Sequence, residues 1–257
     1  MRRLLLSYFK FWFRSKNQHG IHSPFVYELA TKCFYDKTQY APYAQIKSYR
    51  NELLKNKQSI EVTDLGSGSH MMKKNIRKIS HIAKNAGTTN YRAMLLYRLV
   101  NYFKITSILE LGTSLGIATY AMSIGNKDAA ITTIEGCPNI SKFTEDNFHK
   151  YHISNVRVIN GDFSDSLKSL QSNRYDLVYV DGNHQKEATI NYFETLLSTA
   201  HKNSIFIFDD IYWSKGMQDA WQIISSHPKV TVSIDTFFWG LVFFRTEQAK
   251  QHFTIRL

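Results

Sequence analysis

A glycine-containing turn follows an apolar run near the middle of the chain. The run, residues 106–111, contains one acid, Glu110, and the turn comprises Gly112, Thr113, Ser114 and Gly116. Glycines at such positions permit a tight bend and a close approach of the backbone to a ligand. The helix predicted next would point its unpaired N–H groups at the same place. The turn therefore has the composition of a site for a polar or anionic ligand.

Further acids stand at the ends of the next two predicted strands. Glu135 closes the run 130–135, and Gly161 and Asp162 follow the run 155–160. Ligands bind at the carboxyl ends of parallel strands, where an acid on the second strand can accept hydrogen bonds from both hydroxyls of a ribose. An acid after the third strand could meet an adenine amino group. Any one of these acids could be an ordinary polar residue at a strand end, but their order predicts a nucleoside site.

A second group of ionisable residues lies further along the chain. Asp181 ends the run 175–181, His184 follows it, and Asp209 and Asp210 stand at the end of the run 204–209. Carboxylates at neighbouring strand ends repel one another unless a proton or a cation lies between them, and their oxygens suit Mg²⁺, Ca²⁺ or Mn²⁺. Imidazole titrates near neutrality, so His184 could act as a general base. The alternatives are that Asp181 only positions a substrate, that Asp209 caps a loop and that His184 makes a packing hydrogen bond.

Alternating strands and helices must position these residues. The hydrophobic pattern predicts seven strands, at 106–111, 130–135, 155–160, 175–181, 204–209, 230–237 and 240–245. Helices predicted between them give a doubly wound, mostly parallel sheet. The short turn near residues 239–240 allows only an antiparallel neighbour at the C-terminal end. We therefore predict an α/β domain over residues 105–257, preceded over residues 1–104 by a basic, mainly helical extension or lid.

The segments ILELGTSLGIAT, TTIEG, INGDF and YDLVYVDGNH together resemble class I S-adenosylmethionine (SAM)-dependent methyltransferases. The resemblance covers about residues 85–245 and is closest to metal-dependent small-molecule O-methyltransferases and to bacterial relatives with a DGxH segment. It implies a Rossmann-like fold and SAM as cofactor. The residues that it implies in cofactor binding are Glu110, Gly112, Thr113, Ser114, Gly116, Glu135 for the ribose, Gly161, Asp162 near the adenine, and Asp181. It implies His184 and Asp181 in catalysis, and Asp181, Asp209 and Asp210 as ligands of Mg²⁺.

The chain departs from the family pattern at three places. Ile117 and Ala118 replace the Tyr-Ser pair whose serine binds the cofactor carboxylate, which leaves Thr119 or backbone N–H groups for that task. Asp210 replaces the asparagine of the metal site, and His184 replaces the usual lysine base. A NAD-dependent oxidoreductase is the rival interpretation, but it would normally carry a central glycine where this chain has Ser114.

Charge is distributed unevenly along the chain. Residues 1–105 hold 19 Lys/Arg and 5 Asp/Glu, a net charge of +14, whereas residues 106–257 carry −3. Residues 1–20 predict an amphipathic, aromatic-rich helix that would pack on the domain, contact a membrane surface or join a homodimer. A Ser/Gly loop at 62–70 and a basic set (His70, Lys73, Lys74, Arg77 and Lys78) could cover the active site or guide an anionic substrate. Two widely separated cysteines, Cys33 and Cys137, predict reduced thiols and a cytoplasmic location.

These observations favour methylation of a hydroxyl oxygen on a small-molecule or lipid-like acceptor. Two other classes stay open: a non-catalytic cofactor-binding or scaffold protein, and an RNA methyltransferase that uses the basic first part. Nucleic acid is the less favoured partner because no D/N-P-P-Y/F segment, typical of enzymes that methylate base amino groups, follows the fourth strand of the domain.

Overall fold

The computed structural model describes residues 2–63 and 76–257. Most of the Ser/Gly loop and the predicted roles of His70, Lys73 and Lys74 fall on residues 64–75, outside the described residues. Arg77 and Lys78 lie in the short strand that follows them. The architecture is α/β and Rossmann-like, with a mostly parallel sheet and N-terminal helices, as the sequence predicts.

The elements are numbered in chain order over the described residues. The helices are α1 (Arg2–Arg14), α2 (Pro24–Leu29), α3 (Pro42–Lys55), α4 (Ile79–Asn85), α5 (Asn90–Phe103), α6 (Ile117–Gly125), α7 (Pro138–Lys150), α8 (Phe163–Lys168), α9 (Lys186–Leu196) and α10 (Lys215–Ser226). The strands are β1 (Ser59–Glu61), β2 (Ile76–Lys78), β3 (Ser107–Leu111), β4 (Ala130–Glu135), β5 (Val156–Asn160), β6 (Leu177–Val180), β7 (Ile205–Asp209), β8 (Val232–Asp235), β9 (Trp239–Phe243) and β10 (Gln251–Thr254). A π-helical turn, Ala30–Phe34, extends α2, and 3-10 turns lie at Gln18–Gly20 and Leu197–Thr199.

The chain forms two compact units, which we call the central unit and the terminal unit. The central unit is Asp36–Ser166, and the terminal unit combines Met1–Tyr35 with Leu167–Leu257. This division differs from the predicted boundary at 104/105. The physical reason is that residues 43–97 share one buried core with residues 115–148, so the helices before β3 pack with those after it.

The central unit contains three parallel strands of the sheet. They lie in the sequence β3-β4-β5, with Leu111 paired to Ile134 and Glu135 paired to Asn160. Because the strands are parallel and in register, their carboxyl ends lie at one edge. The last four residues of β3 are all buried, which fits a strand covered on both faces, and Glu110 is the one polar residue among them. A separate antiparallel pair, β1 and β2, flanks the undescribed residues.

The terminal unit contains five strands in the order β10-β8-β9-β7-β6. β6 and β7 are parallel, whereas β9 is antiparallel to both β7 and β8, which confirms the predicted antiparallel strand. β10 is an additional strand that the sequence prediction misses, and it pairs in parallel with β8. The turn before β9 lies one to three residues earlier than predicted because the Thr236 hydroxyl accepts the Trp239 N–H group, at 3.1 Å.

Caps explain several helix boundaries. The Ser23 hydroxyl accepts the Val26 N–H group at the start of α2, and the Thr89 hydroxyl accepts the Arg92 N–H group at the start of α5. The predicted helix 73–85 is shorter in the structure, because residues 76–78 form β2 and α4 begins only at Ile79.

Among the described helices, none has the length and apolar content that crossing a membrane requires. Both cysteines are buried free thiols, as predicted.

Candidate active site

The turn between β3 and α6 requires glycine at two positions. Gly112 and Gly116 have φ values of 103° and 73°, in the left-handed region that glycine tolerates best. A methyl group on Gly116 would lie 2.6 Å from the Phe148 ring, so there is no room for a side chain at this position either. Ser114 adopts a φ of 46° in the same turn. Gly116, as the N-cap of α6, provides no side-chain acceptor for the first N–H groups of the helix.

Glu135 connects the turns that follow β3 and β4. One carboxylate oxygen, Oε2, accepts the Ser114 N–H group at 2.8 Å, and the other, Oε1, accepts the Cys137 N–H group at 2.9 Å. These bonds fix the orientation of the carboxylate at the strand edge. Burial raises the pKa of Glu135 above its ordinary value, while its hydrogen bonds from backbone N–H groups oppose that rise. The structure therefore brings Glu135 and the glycine turn together, as predicted.

Glu110 lies in a buried network of hydroxyl groups. Its Oε2 atom accepts hydrogen bonds from the hydroxyls of Thr119 and Thr133, and Thr133 also shares a 2.6 Å contact with Thr113. Its Oε1 atom is buried and makes no hydrogen bond. Burial raises the pKa of Glu110 to about 7. The Thr119 hydroxyl already donates to Glu110. Backbone N–H groups are therefore better candidates than Thr119 to bind the carboxylate of the cofactor.

Gly161 and Asp162 follow β5 at the same edge of the central unit. The Gly161 N–H group donates to the Glu135 carbonyl oxygen at 3.1 Å, which holds this loop beside β4. One oxygen of Asp162, Oδ1, accepts the N–H groups of Ser164 and Asp165 and so caps α8. The structure thus assigns Asp162 a capping role, and its contact with an adenine stays a prediction.

Two carboxylates of the terminal unit converge on one tyrosine. The Tyr179 hydroxyl lies 3.1 Å from Asp181 Oδ2 and 3.3 Å from Asp209 Oδ2. Asp209 is almost fully buried, and its second oxygen accepts the Asp210 N–H group at 2.8 Å. Asp210 itself has a φ of 53°, in the left-handed region. The structure therefore places Asp181 and Asp209 together, with a hydroxyl group against both.

This arrangement does not fit the predicted magnesium site. Within residues 2–63 and 76–257, no three His, Cys, Asp or Glu side chains are grouped in a way that could hold a metal ion. The physical reason lies in the neighbours of Asp209, since both of its oxygens already face hydrogen-bond donors. Asp181, Asp209 and Asp210 consequently do not form the three-carboxylate set that the sequence suggested.

His184 lies beside Asp181 at the same strand end. Its Nε2 atom is 3.9 Å from Asp181 Oδ1, and both side chains are about one-fifth exposed. Asn183 adopts a φ of 48° and donates from its amide to the Tyr192 hydroxyl at 3.0 Å, which fixes the turn before α9. The ring of Trp213 lies 6.4 Å from that of His184. An accessible imidazole beside a carboxylate and an aromatic surface suits proton removal from a small acceptor.

The sequence prediction missed three contributors to these sites. Tyr179 could have been found, because side chains two residues apart on a strand share a face and Asp181 follows it at that spacing. The Thr133 hydroxyl on Glu110 had a similar signal, since Thr133 pairs with Glu110 across neighbouring strands. Trp213 carried no such signal because it lies in the irregular segment between β7 and α10.

Part of the chain is similar to a known protein family. Residues 109–211 match the family model of a methyltransferase domain, and this range includes Glu110, Glu135, Asp181, His184 and Asp209. No curated protein sequence matches the chain significantly.

Several solved structures are similar in fold. A methyltransferase of Podospora anserina bound to SAH is 16% identical with a TM-score of 0.61, over 88% of this chain and 97% of that one. The SAM-bound O-methyltransferase of Streptomyces achromogenes involved in tomaymycin synthesis is 14% identical with a TM-score of 0.58, over 84% and 94% of the two chains. An SAH-bound O-methyltransferase of Bacillus cereus is 16% identical with a TM-score of 0.54, over 83% and 95%. The match shows a methyltransferase domain over residues 109–211, and the SAM- and SAH-bound neighbours share the Rossmann-like fold of this chain.

Proposed function

We propose that the chain transfers the methyl group of SAM to a hydroxyl oxygen of a small-molecule acceptor. The observation that carries the proposal is the accessible His184–Asp181 pair at a strand end, within the range that matches a methyltransferase domain. The O-methyltransferases among its structural neighbours support oxygen as the accepting atom. Asp181 contacts Tyr179 on one side and approaches His184 on the other, so it is suited to orient the imidazole.

The central unit supplies residues that fit SAM. Glu135 stands at the end of the second parallel strand with both oxygens held by N–H groups, and a ribose diol would add donors to the same carboxylate. The unpartnered Oε1 atom of Glu110 lacks a donor, and the α-ammonium group of SAM would supply one. Gly112 and Gly116 add no side chain to the turn and adopt its positive φ values. Asp162, at the end of β5, is the residue proposed near the adenine.

The reaction needs no covalent intermediate on the enzyme. SAM supplies an electrophilic methyl group on a sulfonium centre. His184 would accept the proton of the acceptor hydroxyl through Nε2 while the oxygen forms its bond to the methyl carbon and the bond between carbon and sulfur breaks. The products are the methylated oxygen, S-adenosylhomocysteine and a protonated imidazole that returns its proton to water. The protein contributes orientation and a positioned base.

Methyl transfer from radiolabelled SAM to a panel of phenols, catechols and hydroxy acids tests this proposal. We expect His184→Ala to lower kcat by about 10²–10⁴-fold, the range for loss of a general base. His201→Ala is the matched control, because His201 also pairs with an aspartate, Asp176, at 3.1 Å and lies before β7, far from that strand's carboxyl end. Equal losses in both variants, or full activity of His184→Ala, would contradict the assignment.

Adding a chelator to the same assay tests whether methyl transfer needs a metal ion. Since Asp181 and Asp209 face a tyrosine hydroxyl, we expect EDTA to leave the rate unchanged and added Mg²⁺ not to raise it. A rate that disappears with EDTA and returns with Mg²⁺ would show that the carboxylates rearrange around a cation.

A further inference from the structure

The helix α1 exposes apolar side chains on the side opposite to its packing. It packs within the terminal unit through Phe11, which is 2% exposed, and through the Ser7 hydroxyl, which lies 3.1 Å from the Gln218 amide. Residues spaced by three or four positions share one helix face. The opposite face, which we call the outer face of α1, consists of Leu5, Leu6, Phe9, Trp12 and Phe13.

The outer face of α1 is a continuous apolar surface. Leu6, Phe9 and Phe13 are 63%, 58% and 78% exposed, values that are high for large apolar side chains. A contiguous exposed patch of this kind marks an interaction surface in a folded protein. Singly exposed apolar residues need no explanation, but five on one face of a helix do.

Positive charge lies beside this face. Residues 1–20 contain four Lys or Arg residues between Arg2 and Arg14, a further one at Lys16, and no Asp or Glu. Arg3, Lys10 and Arg14 are spaced by seven and four residues, so they follow one flank of the helix. A cationic flank next to an apolar face rich in aromatic residues is complementary to anionic head groups above a hydrocarbon boundary.

The helix is held in place before any partner arrives. An Arg3 guanidinium nitrogen donates to the Trp213 carbonyl oxygen at 2.9 Å, and the rings of Phe11 and Phe237 lie 5.4 Å apart. Tyr8 also packs edge to face on Phe237, with 5.0 Å between ring centroids. Because these contacts order the helix already, docking through the outer face would carry little cost of folding.

We propose that the outer face of α1 docks on an anionic phospholipid surface. Leu5, Leu6, Phe9 and Phe13 would enter the boundary between head groups and acyl chains, and Lys10, on the cationic flank, would meet the lipid phosphates. A second copy of the chain is the competing occupant. A two-fold contact through this face would set the same cations of both copies near one another, which costs free energy, whereas anionic lipid neutralises them.

Vesicle flotation with the full chain tests the proposal. Phosphatidylcholine vesicles with and without phosphatidylglycerol are the probes. We expect binding to the anionic vesicles that weakens as salt is added. The triple variant Leu6→Ser/Phe9→Ser/Phe13→Ser should lower partitioning at least about tenfold, because it removes most of the apolar area that would be buried. Lys10→Glu should also weaken binding.

Two control variants separate specific docking from general stickiness. Ile223→Ser removes another exposed apolar side chain, on α10, and Lys229→Glu makes the same charge change at an exposed lysine elsewhere in the terminal unit. Both should bind vesicles like the unmodified chain, and unchanged thermal unfolding would show that all variants fold.

Either of two results would overturn the proposal. One is the absence of binding to anionic vesicles, or binding that the triple variant does not change. The other is a dimer, measured by light scattering, that the triple variant converts to a monomer while vesicles bind neither form. That second result would assign the outer face of α1 to a second copy of the chain.

Discussion

The substitution Glu110→Gln should change how the stability of the protein depends on pH. Glu110 is fully buried in β3, and burial raises its pKa from 4.5 to about 7. Its two threonine hydroxyl donors, Thr119 and Thr133, oppose this rise but do not cancel it. A carboxyl group that stays protonated in the folded state and ionises in the unfolded state destabilises the folded state as pH rises.

The magnitude follows from the two pKa values of Glu110. In the unfolded chain the carboxyl loses its proton near pH 4.5, while in the folded protein it keeps that proton up to about pH 7. The free energy of unfolding therefore falls between these two pH values and is constant above them. At about 1.4 kcal/mol for each pKa unit, the total loss is about 3 kcal/mol. The glutamine amide of the variant cannot ionise, so this decline should disappear.

Urea unfolding from pH 4.5 to about pH 8, without SAM, is the appropriate assay. The free energy of unfolding of Glu110→Gln minus that of the unmodified chain should rise by about 3 kcal/mol across this range. Glu145→Gln, at an exposed position on α7 of the same unit, is the matched control and should show no comparable rise. A difference that stays constant with pH would refute the reasoning, because it would mean that Glu110 ionises alike in the folded and unfolded states.

Three further predictions concern the two sites. Gly116→Ala should lower the free energy of urea unfolding by about 1–3 kcal/mol, since it combines a positive φ with a methyl group 2.6 Å from the Phe148 ring, and an unchanged midpoint would contradict this. Glu135→Gln should weaken SAM binding by about tenfold or more in calorimetry, because a neutral amide replaces the carboxylate that a ribose would contact; equal affinity would remove Glu135 from the site. Tyr179→Phe should destabilise the chain by about 1–2 kcal/mol at neutral pH, since Asp181 and Asp209 lose their shared hydroxyl, and thermal or urea unfolding that shows no loss would count against that contact.

Helix and strand positions were predictable wherever local signals agreed. The helix α5 begins and ends as predicted at Asn90 and Phe103, because the cap at Thr89 and the apolar spacing support the same limits. The strand β10 was missed because its four residues, Gln251–Thr254, are mostly polar and do not show the apolar pattern of a buried strand. The start of α4 was placed too early because nothing in the basic run before Ile79 shows the alternation of a strand.

The site was predictable in part for a similar reason. Acids at the ends of parallel strands must lie at one edge, so Glu135 was correctly placed beside the turn that contains Ser114. Contacts between side chains on neighbouring strands depend on register, which the sequence does not state. The contact of the Thr133 hydroxyl with Glu110 and that of the Tyr179 hydroxyl with Asp209 were missed for that reason. The predicted three-carboxylate metal set is not found among the described residues, where Asp181 and Asp209 face the Tyr179 hydroxyl, a contact that sequence spacing does not show.

Calorimetric titration of SAM and, separately, of NAD⁺ into the purified full chain tests the central claim most directly. A methyltransferase with the glycine turn, Glu110 and Glu135 as cofactor residues should bind SAM with micromolar affinity, and NAD⁺ should give no heat of binding. Failure of SAM to bind, or tighter binding of NAD⁺ than of SAM, would contradict the account.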